Sequence, residues 1–573
     1  MSTLVARPAP PRRVSSQRNT LVMTAHVRLM MLMLMIAAGV LVIILRLTWL
    51  AAFSAPATSP DAVSALVPLR GDIVDRNGAP LARTIDAWSI GIHPNKVISD
   101  RRELAAKLAN LIPEHDEAWY FDVLTSGKNF AYLAKRAMPE TVSRVNALGE
   151  PAVAFAREPE RLYPQSTLAA HALGFLDYDG RGMSGMERVL DEQLTNPALR
   201  GQPVPLSIDT RIQAAMESEL GAAMLSFKAR GAAGVLLDVH TGEVLSMVSL
   251  PVFNPNHVKG STEDQLRNNV TQSVYELGST FKPITMAAAI DSGIVTSMAR
   301  RFDATQPIKV GRFTIHDDRG DEQERWLDIP ETLIYSSNIA TARIADELGA
   351  EREKAMFRRL GFDTRPDVEL REKGRPIWPA YWARTTTMTT AYGHGIAVTP
   401  LHLANAYASL VNGGIWRPTT MLKIAPGKAP AGRRVISQAT SDRMRQLLRL
   451  IVLEGTGKKA EAAGYRVGGK TGTAEVAGKG GYERHTNVST FAAAFPMDAP
   501  RYVVVAMLDS PIGNAQSYGL TTAAWTVAPV VGRVITRVGP MLGVMPDEQR
   551  DVDVSELMPL LWRPQGREVK DTR

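Results

Sequence analysis

The stretch GAAGVLLDVHTGEVLSMVSLP, Gly231 to Pro251, decides the fold. Two apolar runs flank His240-Thr241-Gly242, and a short glycine-bearing break between such runs reads as two hairpin strands. Helix signals stand on both sides. Residues 211–229 (RIQAAMESELGAAMLSFKA) fit an amphipathic helix, and 521–538 (TTAAWTVAPVVGRVITRV) read as a closing helix. Two further strand-like runs, Val488–Phe495 and Tyr502–Leu508, lie between. Hairpin strands with helices at both ends imply an antiparallel sheet flanked by helices, α+β in class, over about 205–545.

Three short motifs follow one another inside this region. The first is Ser279-Thr280-Phe281-Lys282, with Gly278 before it and Pro283 after it. A helix beginning here puts Ser279 and Lys282 one turn apart on one face, and Pro283 is tolerated in a first turn. A serine hydroxyl is a poor nucleophile until a base takes its proton. A lysine one turn away is such a base once desolvation or a nearby cation lowers its pKa. The backbone N–H of Ser279 at a helix start can also meet a developing oxyanion.

Ser336-Ser337-Asn338 comes 57 residues later, between the helix-like ETLIYS and IATARIADEL. Its hydroxyl can relay a proton to a leaving amine, and its amide can hold a substrate carbonyl and orient the lysine. Lys470-Thr471-Gly472-Thr473 stands 134 residues beyond Ser336. Lys470 and the hydroxyls of Thr471 and Thr473 suit a carboxylate such as a peptide C-terminus. Gly472 removes a side chain where a substrate approaches the strand, and the Thr473 amide can complete an oxyanion hole with that of Ser279. Taken singly, each motif is more often a chance match, a polar helix junction or a lysine-bearing turn. In this order they form the active-site serine signature of β-lactamases and penicillin-binding proteins.

A decoy overlaps the third motif. Residues 464–471, GYRVGGKT, match the phosphate-loop pattern G-x-x-x-x-G-K-T. That loop needs a buried strand before it and a helix after it. GKKAEAA precedes it, and GTAEVAGKGGYERH, broken by Gly478, Gly480 and Gly481, follows. The nucleotide reading is therefore set aside.

Length and composition bound the rest. The 573 residues allow two or three domains, and 45% hydrophobic with 22% charged residues is ordinary for a globular chain. With no cysteine there are no disulfides, thiolate zinc sites, iron–sulfur clusters or cysteine nucleophile. The net charge is +8, but Arg7, Arg12, Arg13, Arg18 and Arg28 supply five of it in an acid-free tail, residues 1–28. The remaining excess makes no electrostatic case for nucleic acid.

Behind the tail, Leu29 to Leu45 is uncharged, and LTWLAAF follows Arg46. The length suits a transmembrane anchor, 29–50, with the basic tail cytoplasmic and the remainder outside. A cleaved signal peptide, with small residues around Ala52 and Ser54, and a buried core helix are the weaker readings. SAPATSP, 54–60, reads as a linker. Residues 60–200 mix short strands and helices without a catalytic cluster and read as an elongated accessory module. Within it, Asp72–Asp75 is a strand, Asn77-Gly78 a tight turn, and Arg70-Gly71-Asp72 a structural turn rather than an adhesion triplet. Residues 546–573, charged and proline-bearing, read as a peripheral tail.

With these residues in view the chain resembles the class B penicillin-binding proteins, most closely the cell-division (FtsI-type) transpeptidases. The likeness rests on the three motifs, the basic tail and single anchor, RGDIVDRNGAPLA at 70–82, RLYPQSTLAAHALGF at 161–175, LDVHTGEVLSMVSLPVFNPN at 237–256 and AYGHGIAVTPLHLANAYASLVNGG at 391–414. One departure is His402, where the family phrase TPLQLA has glutamine.

The resemblance implies a pedestal or dimerisation module at 60–200 and a penicillin-binding transpeptidase domain at 205–545. It implies a D,D-transpeptidase in which Ser279 is the nucleophile and Lys282 its base. Ser336 relays the proton, Asn338 holds the donor and the lysine, and Lys470, Thr471 and Thr473 bind the terminal carboxylate. It implies peptidoglycan stem peptides as substrate, β-lactams as inhibitors, no cofactor and no metal. An FtsW-type glycosyltransferase and other divisome proteins would be partners at the septum of the inner membrane, with the catalytic domain in the periplasm. The elongation-specific transpeptidase is the runner-up. A tethered β-lactamase would need a deacylating base that the chain does not reveal, and a penicillin sensor would need more membrane helices or a cytoplasmic effector. The intact motifs argue against a silent scaffold. His394, in Tyr392-Gly-His394-Gly, reads as structural in a loop near the site. Tyr482 lines the cleft or caps a turn, and His171, His402 and His485 lack metal-ligand spacing.

Overall fold

The structure, a computed structural model, describes residues 16–53, 70–311, 313–318, 320–478 and 481–562, with side chains placed except at 16–22, 49–53 and 476–485. The linker expected at 54–60, the first 15 residues and the last 11 lie outside the described residues. The chain divides into two units, 1–67 and 68–573.

The described residues of the first unit form one helix, α1, Ser16–Phe53. It starts well before residue 29 because no proline or glycine interrupts 16–28. Its stretch Met23–Thr48 is long and apolar enough to cross a membrane.

In the second unit, strand β1 (Ile73–Val74) turns through Asn77-Gly78 into β2 (Pro80–Ile92). The Asp75 carboxylate makes that turn, accepting the N–H groups of Asn77 and Ala79 at 2.8 Å each. The long β2 pairs with both β3 (Ala131–Ala137) and β4 (Val153–Leu162), and β5 (Val204–Pro205) runs parallel to β1. Leu104, Leu108 and Tyr120, from helices Arg101–Leu111 and Glu117–Thr125, fill a separate core beside Ile90 and Ile92. Arg70 is buried: its guanidinium meets Glu187 Oε2 at 2.8 Å and Asp191 Oδ1 at 2.7 Å, while Arg161 takes Glu187 Oε1 at 2.7 Å. Such an arginine is a structural joint and cannot serve as an adhesion contact.

The sheet formed by residues 231–509 is five-stranded and antiparallel. Its strands are β6 (Gly231–Asp238), β7 (Val244–Leu250), β8 (Gly468–Gly478), β9 (Gly481–Phe495) and β10 (Tyr502–Asp509), in the order β8-β9-β10-β6-β7. Side chains alternate across it. Val235, Leu237, Val503 and Val505 enter one core, and Leu236, Val504, Ala506 and Leu508 the other. Burial on both faces explains why the strands read as unbroken apolar runs. Helix α2 (Thr210–Ser226) lies against the second face, and α6 (Pro400–Val411) against the first.

Two expectations need correcting. The closing helix is two pieces, Ala523–Thr526 and Ala528–Val538, because Pro529 cannot donate to a helical carbonyl and its ring crowds the one four residues back. The stretch after 545 is no loose tail as far as Trp562. Arg449 binds Asp551 at 2.7 Å, Leu557 is buried, and the Trp562 N–H donates to Glu331 at 2.8 Å. Its acids serve as partners for domain arginines, which composition alone cannot show.

Candidate active site

Three short helices frame the first two motifs: α3 (Lys282–Asp291), α4 (Ile329–Ile334) and α5 (Asn338–Leu348). Ser279 does not open an α-helix as expected. It lies in a 3-10 turn, Gly278–Phe281, that hands over to α3 at Lys282, with Pro283 in the first turn. The turn is anchored from below: the buried Tyr407 hydroxyl donates to the Thr280 carbonyl at 2.9 Å, and Thr285 Oγ1 to the Ala391 carbonyl at 2.9 Å.

The glycines around it are demanded by backbone. A Cβ on Gly472 would stand 2.4 Å from the Leu277 carbonyl oxygen, so this glycine admits the serine turn rather than a substrate. That replaces the role read from sequence. A Cβ on Gly278 would stand 2.8 Å from the Thr473 carbonyl, and one on Gly393 2.3 Å from the Gly278 carbonyl. The serine turn is thus wedged between the Tyr392–His394 loop and β8, the edge strand of the sheet.

Ser336 sits between α4 and α5 with φ +58°. A left-handed serine costs about 1–3 kcal/mol, and such strain is held where surroundings over-determine it. Here the surroundings are two lysines. Lys282 Nζ donates to Ser336 Oγ at 3.1 Å and also to the Ser336 carbonyl. Lys470 Nζ donates to the same Oγ at 2.8 Å, and to the carbonyl and hydroxyl of Thr471 at 3.1 and 3.2 Å. Both lysines are buried, 1% and 0% exposed. Burial brings Lys282 down to about 8, against the pull of Asp318, Asp317 and Asp321. Burial, and then the charge of Lys282, pushes Lys470 well below the ordinary lysine value. The arrangement offers a lysine able to accept a proton beside a serine and a hydroxyl relay.

The remaining motif residues divide. Ser279 is half-buried at the turn, and Lys282, Ser336 and Lys470 converge as the sequence suggests. Asn338 does not reach Lys282. Its amide donates to the His316 carbonyl at 3.1 Å and to Asp318 at 3.4 Å, because the 313–318 segment crosses in front of α5. Thr471 is buried with its hydroxyl against Thr456 at 2.9 Å. Thr473 is half-exposed; its hydroxyl accepts the Ala523 N–H at 3.1 Å and keeps its proton to donate. The GKT of the phosphate-loop pattern lies in β8, with no helix after it. The side chains of Tyr482 and His485 lie outside the described residues. His171 and His402 are buried singly, and among the described residues no group of acids and histidines could hold a metal. His402 Nδ1 shares the Thr399 hydroxyl at 2.9 Å and caps α6, a task the amide of a glutamine can also do.

Asp317 was missed. It is buried and accepts the Ser337 hydroxyl at 3.0 Å and the Ile339 N–H at 3.0 Å, fixing the start of α5. No local pattern marks it.

Comparisons with known proteins show which families the chain is similar to. Residues 232–532 match the penicillin-binding protein transpeptidase domain, and 65–197 the penicillin-binding protein dimerisation domain. The chain is 41% identical over 506 residues to the probable peptidoglycan D,D-transpeptidase FtsI of Caulobacter vibrioides, covering 87% of this chain and 85% of that one. It is 28% identical over 526 residues to the peptidoglycan D,D-transpeptidase FtsI of Escherichia coli K12, covering 85% and 86%. The crystal structure of penicillin-binding protein 3 from Mycobacterium tuberculosis complexed with aztreonam is similar with a TM-score of 0.66 and 27% identity, over 84% of this chain and 98% of that one.

Proposed function

The chain belongs to the class B penicillin-binding proteins of the FtsI type, which are peptidoglycan D,D-transpeptidases, and from that premise we propose that it cross-links stem peptides at the division septum through an acyl-enzyme on Ser279. One observation carries the residue assignment: two buried lysines donate to a single hydroxyl, Ser336, one motif away from a serine placed a turn before the first lysine.

Neutral Lys282 takes the Ser279 proton as Oγ attacks the penultimate D-alanine carbonyl. The backbone N–H groups of Ser279 and Thr473, on facing edges of the cleft, receive the oxyanion. Ser336 passes the proton to the departing D-alanine. Lys470 sets the charge at the relay, and Thr473, with Thr471 behind it, binds the terminal carboxylate. Asn338 holds the donor amide once the 313–318 segment yields. An amine from a neighbouring peptide then releases Ser279. A β-lactam takes the donor's place and leaves a slowly hydrolysed ester. Helix α1 is the single membrane anchor, with the N-terminus cytoplasmic and the catalytic domain periplasmic, and an FtsW-type glycosyltransferase and other divisome proteins are the partners.

The test is intact mass over time on the full chain in detergent with penicillin, beside Ser279→Ala. A one-to-one adduct lasting many minutes, absent from the variant, is expected. Rapid loss of the adduct with hydrolysed drug accumulating argues for a β-lactamase, and no adduct removes the Ser279 assignment. Depletion tests the septal role: filamentation is expected, and rounding without filamentation assigns the enzyme to elongation instead.

A further inference from the structure

His394 and Glu276 flank the serine turn and have no part in the steps above. His394 Nδ1 lies 3.7 Å from Glu276 Oε2, and Glu276 Oε1 accepts the Gly395 N–H at 3.1 Å. The loop that carries His394 is pinned against the turn that carries Ser279. Gly393 abuts the Gly278 backbone, and the His394 N–H donates to the Thr389 carbonyl at 3.1 Å. Among the described residues, the groups around the imidazole include Glu276, Asp318, Lys282 and the Tyr392 ring, whose centroid is 5.3 Å away. The histidine side chain keeps 29% exposure, so it stands at the mouth of the cleft rather than in the core. Burial, with the charge of Lys282 and against the pull of Asp318, holds it below its ordinary value and favours the neutral imidazole.

The chemistry of the second half-reaction needs such a group. An amine acceptor with an ordinary pKa of about 10 arrives as an ammonium, RNH3+. Forming the amide releases two protons. One returns through Ser336 and Lys282 to the departing Ser279 Oγ. The second cannot stay on the lysine pair, because two full ammonium charges on one buried hydroxyl repel and are desolvated together.

The geometry points to His394 and Glu276 as the acceptor-amine half-site. The Glu276 carboxylate, 3.7 Å from Nδ1, draws the ammonium, and the His394 imidazole takes the first proton. RNH2 then attacks the Ser279 ester carbon, the C–N bond forms, the C–Oγ bond breaks, and the imidazolium returns its proton to water. This inference rests on the transpeptidase reading, and His394 becomes a catalytic residue for aminolysis rather than the structural loop residue expected from sequence.

The test separates the half-reactions. The full chain in detergent is given an acyl-D-alanyl thioester donor with D-alanine as the amine acceptor, and the ratio of amide to hydrolysed acid is read beside the rate of penicillin acylation. His394→Gln should lower the ratio at least tenfold at neutral pH, and Glu276→Gln in the same direction by less. At about pH 10, where half the acceptor arrives already neutral, the gap should close. An unchanged ratio overturns the proposal, as does a fall matched by lost acylation or a gap that persists at high pH. A wild-type chain that forms no acyl-enzyme instead removes the transpeptidase reading on which this one stands.

Discussion

Each of two regions buries a pair of basic side chains on one oxygen-bearing group. In the accessory module, Arg70 and Arg161 each take one oxygen of Glu187, which is 0% exposed. In the catalytic domain, Lys282 and Lys470 share Ser336 Oγ. The first acceptor is a carboxylate and the second a neutral hydroxyl. Arginine keeps its proton under any condition a protein meets, so the first group is a fixed joint of compensated charge. Lysine sheds its proton when burial is uncompensated, so the second becomes a source of bases. The same burial gives rigidity in one place and reactivity in the other, and the identity of cation and acceptor decides which.

Exchanging the chemistry of the reactive pair should have the largest effect. Lys282→Arg keeps a cation but cannot accept the Ser279 proton, so penicillin acylation should fall by about 10³-fold or more, close to the loss for Lys282→Ala, since positioned bases contribute about 10²–10⁴-fold. An arginine variant that acylates normally breaks the comparison. Next in size, Glu187→Ala takes the carboxylate from the buried Arg161 and leaves Arg70 with Asp191 alone, and should cost about 3–5 kcal/mol in denaturant unfolding of the accessory module. A change near zero would mean that the joint is wetter than its burial implies.

The pH dependence sharpens the contrast. Lys282 must be neutral to act, so acylation should rise about tenfold from pH 6 to pH 7 and level off above about 8. The linked stability has the corresponding sign. The folded value is below the unfolded one, so the unfolded chain binds more protons between about 8 and 10.5, and stability should rise with pH across that window. A flat acylation profile over pH 6–8 would assign the base elsewhere. The smallest effect belongs to an exposed pair: Glu103→Gln, which removes the 2.7 Å contact with Lys107, should leave unfolding unchanged within error.

What could be read beforehand was local. The hairpin of β6 and β7 shows as two apolar runs around a turn, and Ser279 to Lys282 is one helical turn, so neighbours in sequence were neighbours in space. Asp317 binds Ser337 from 20 residues away, and Lys470 reaches Ser336 across 134. Only the family pattern links the second pair, and nothing links the first. Gly472 and Asn338 were assigned to substrate because motif reasoning sees a residue type and its usual task. The close approach of Leu277 and the crossing of the 313–318 segment are products of tertiary packing.

The interlock of Gly278, Gly393 and Gly472 also limits adaptation. A lineage selected to exclude an inhibitor from the cleft has no single-step route through these three positions, since even a methyl group at 393 or 472 meets backbone within 2.4 Å. Its accessible changes lie at side chains on the rim and in the 313–318 segment. Variation among descendants should therefore collect around the serine turn while these three codons stay silent.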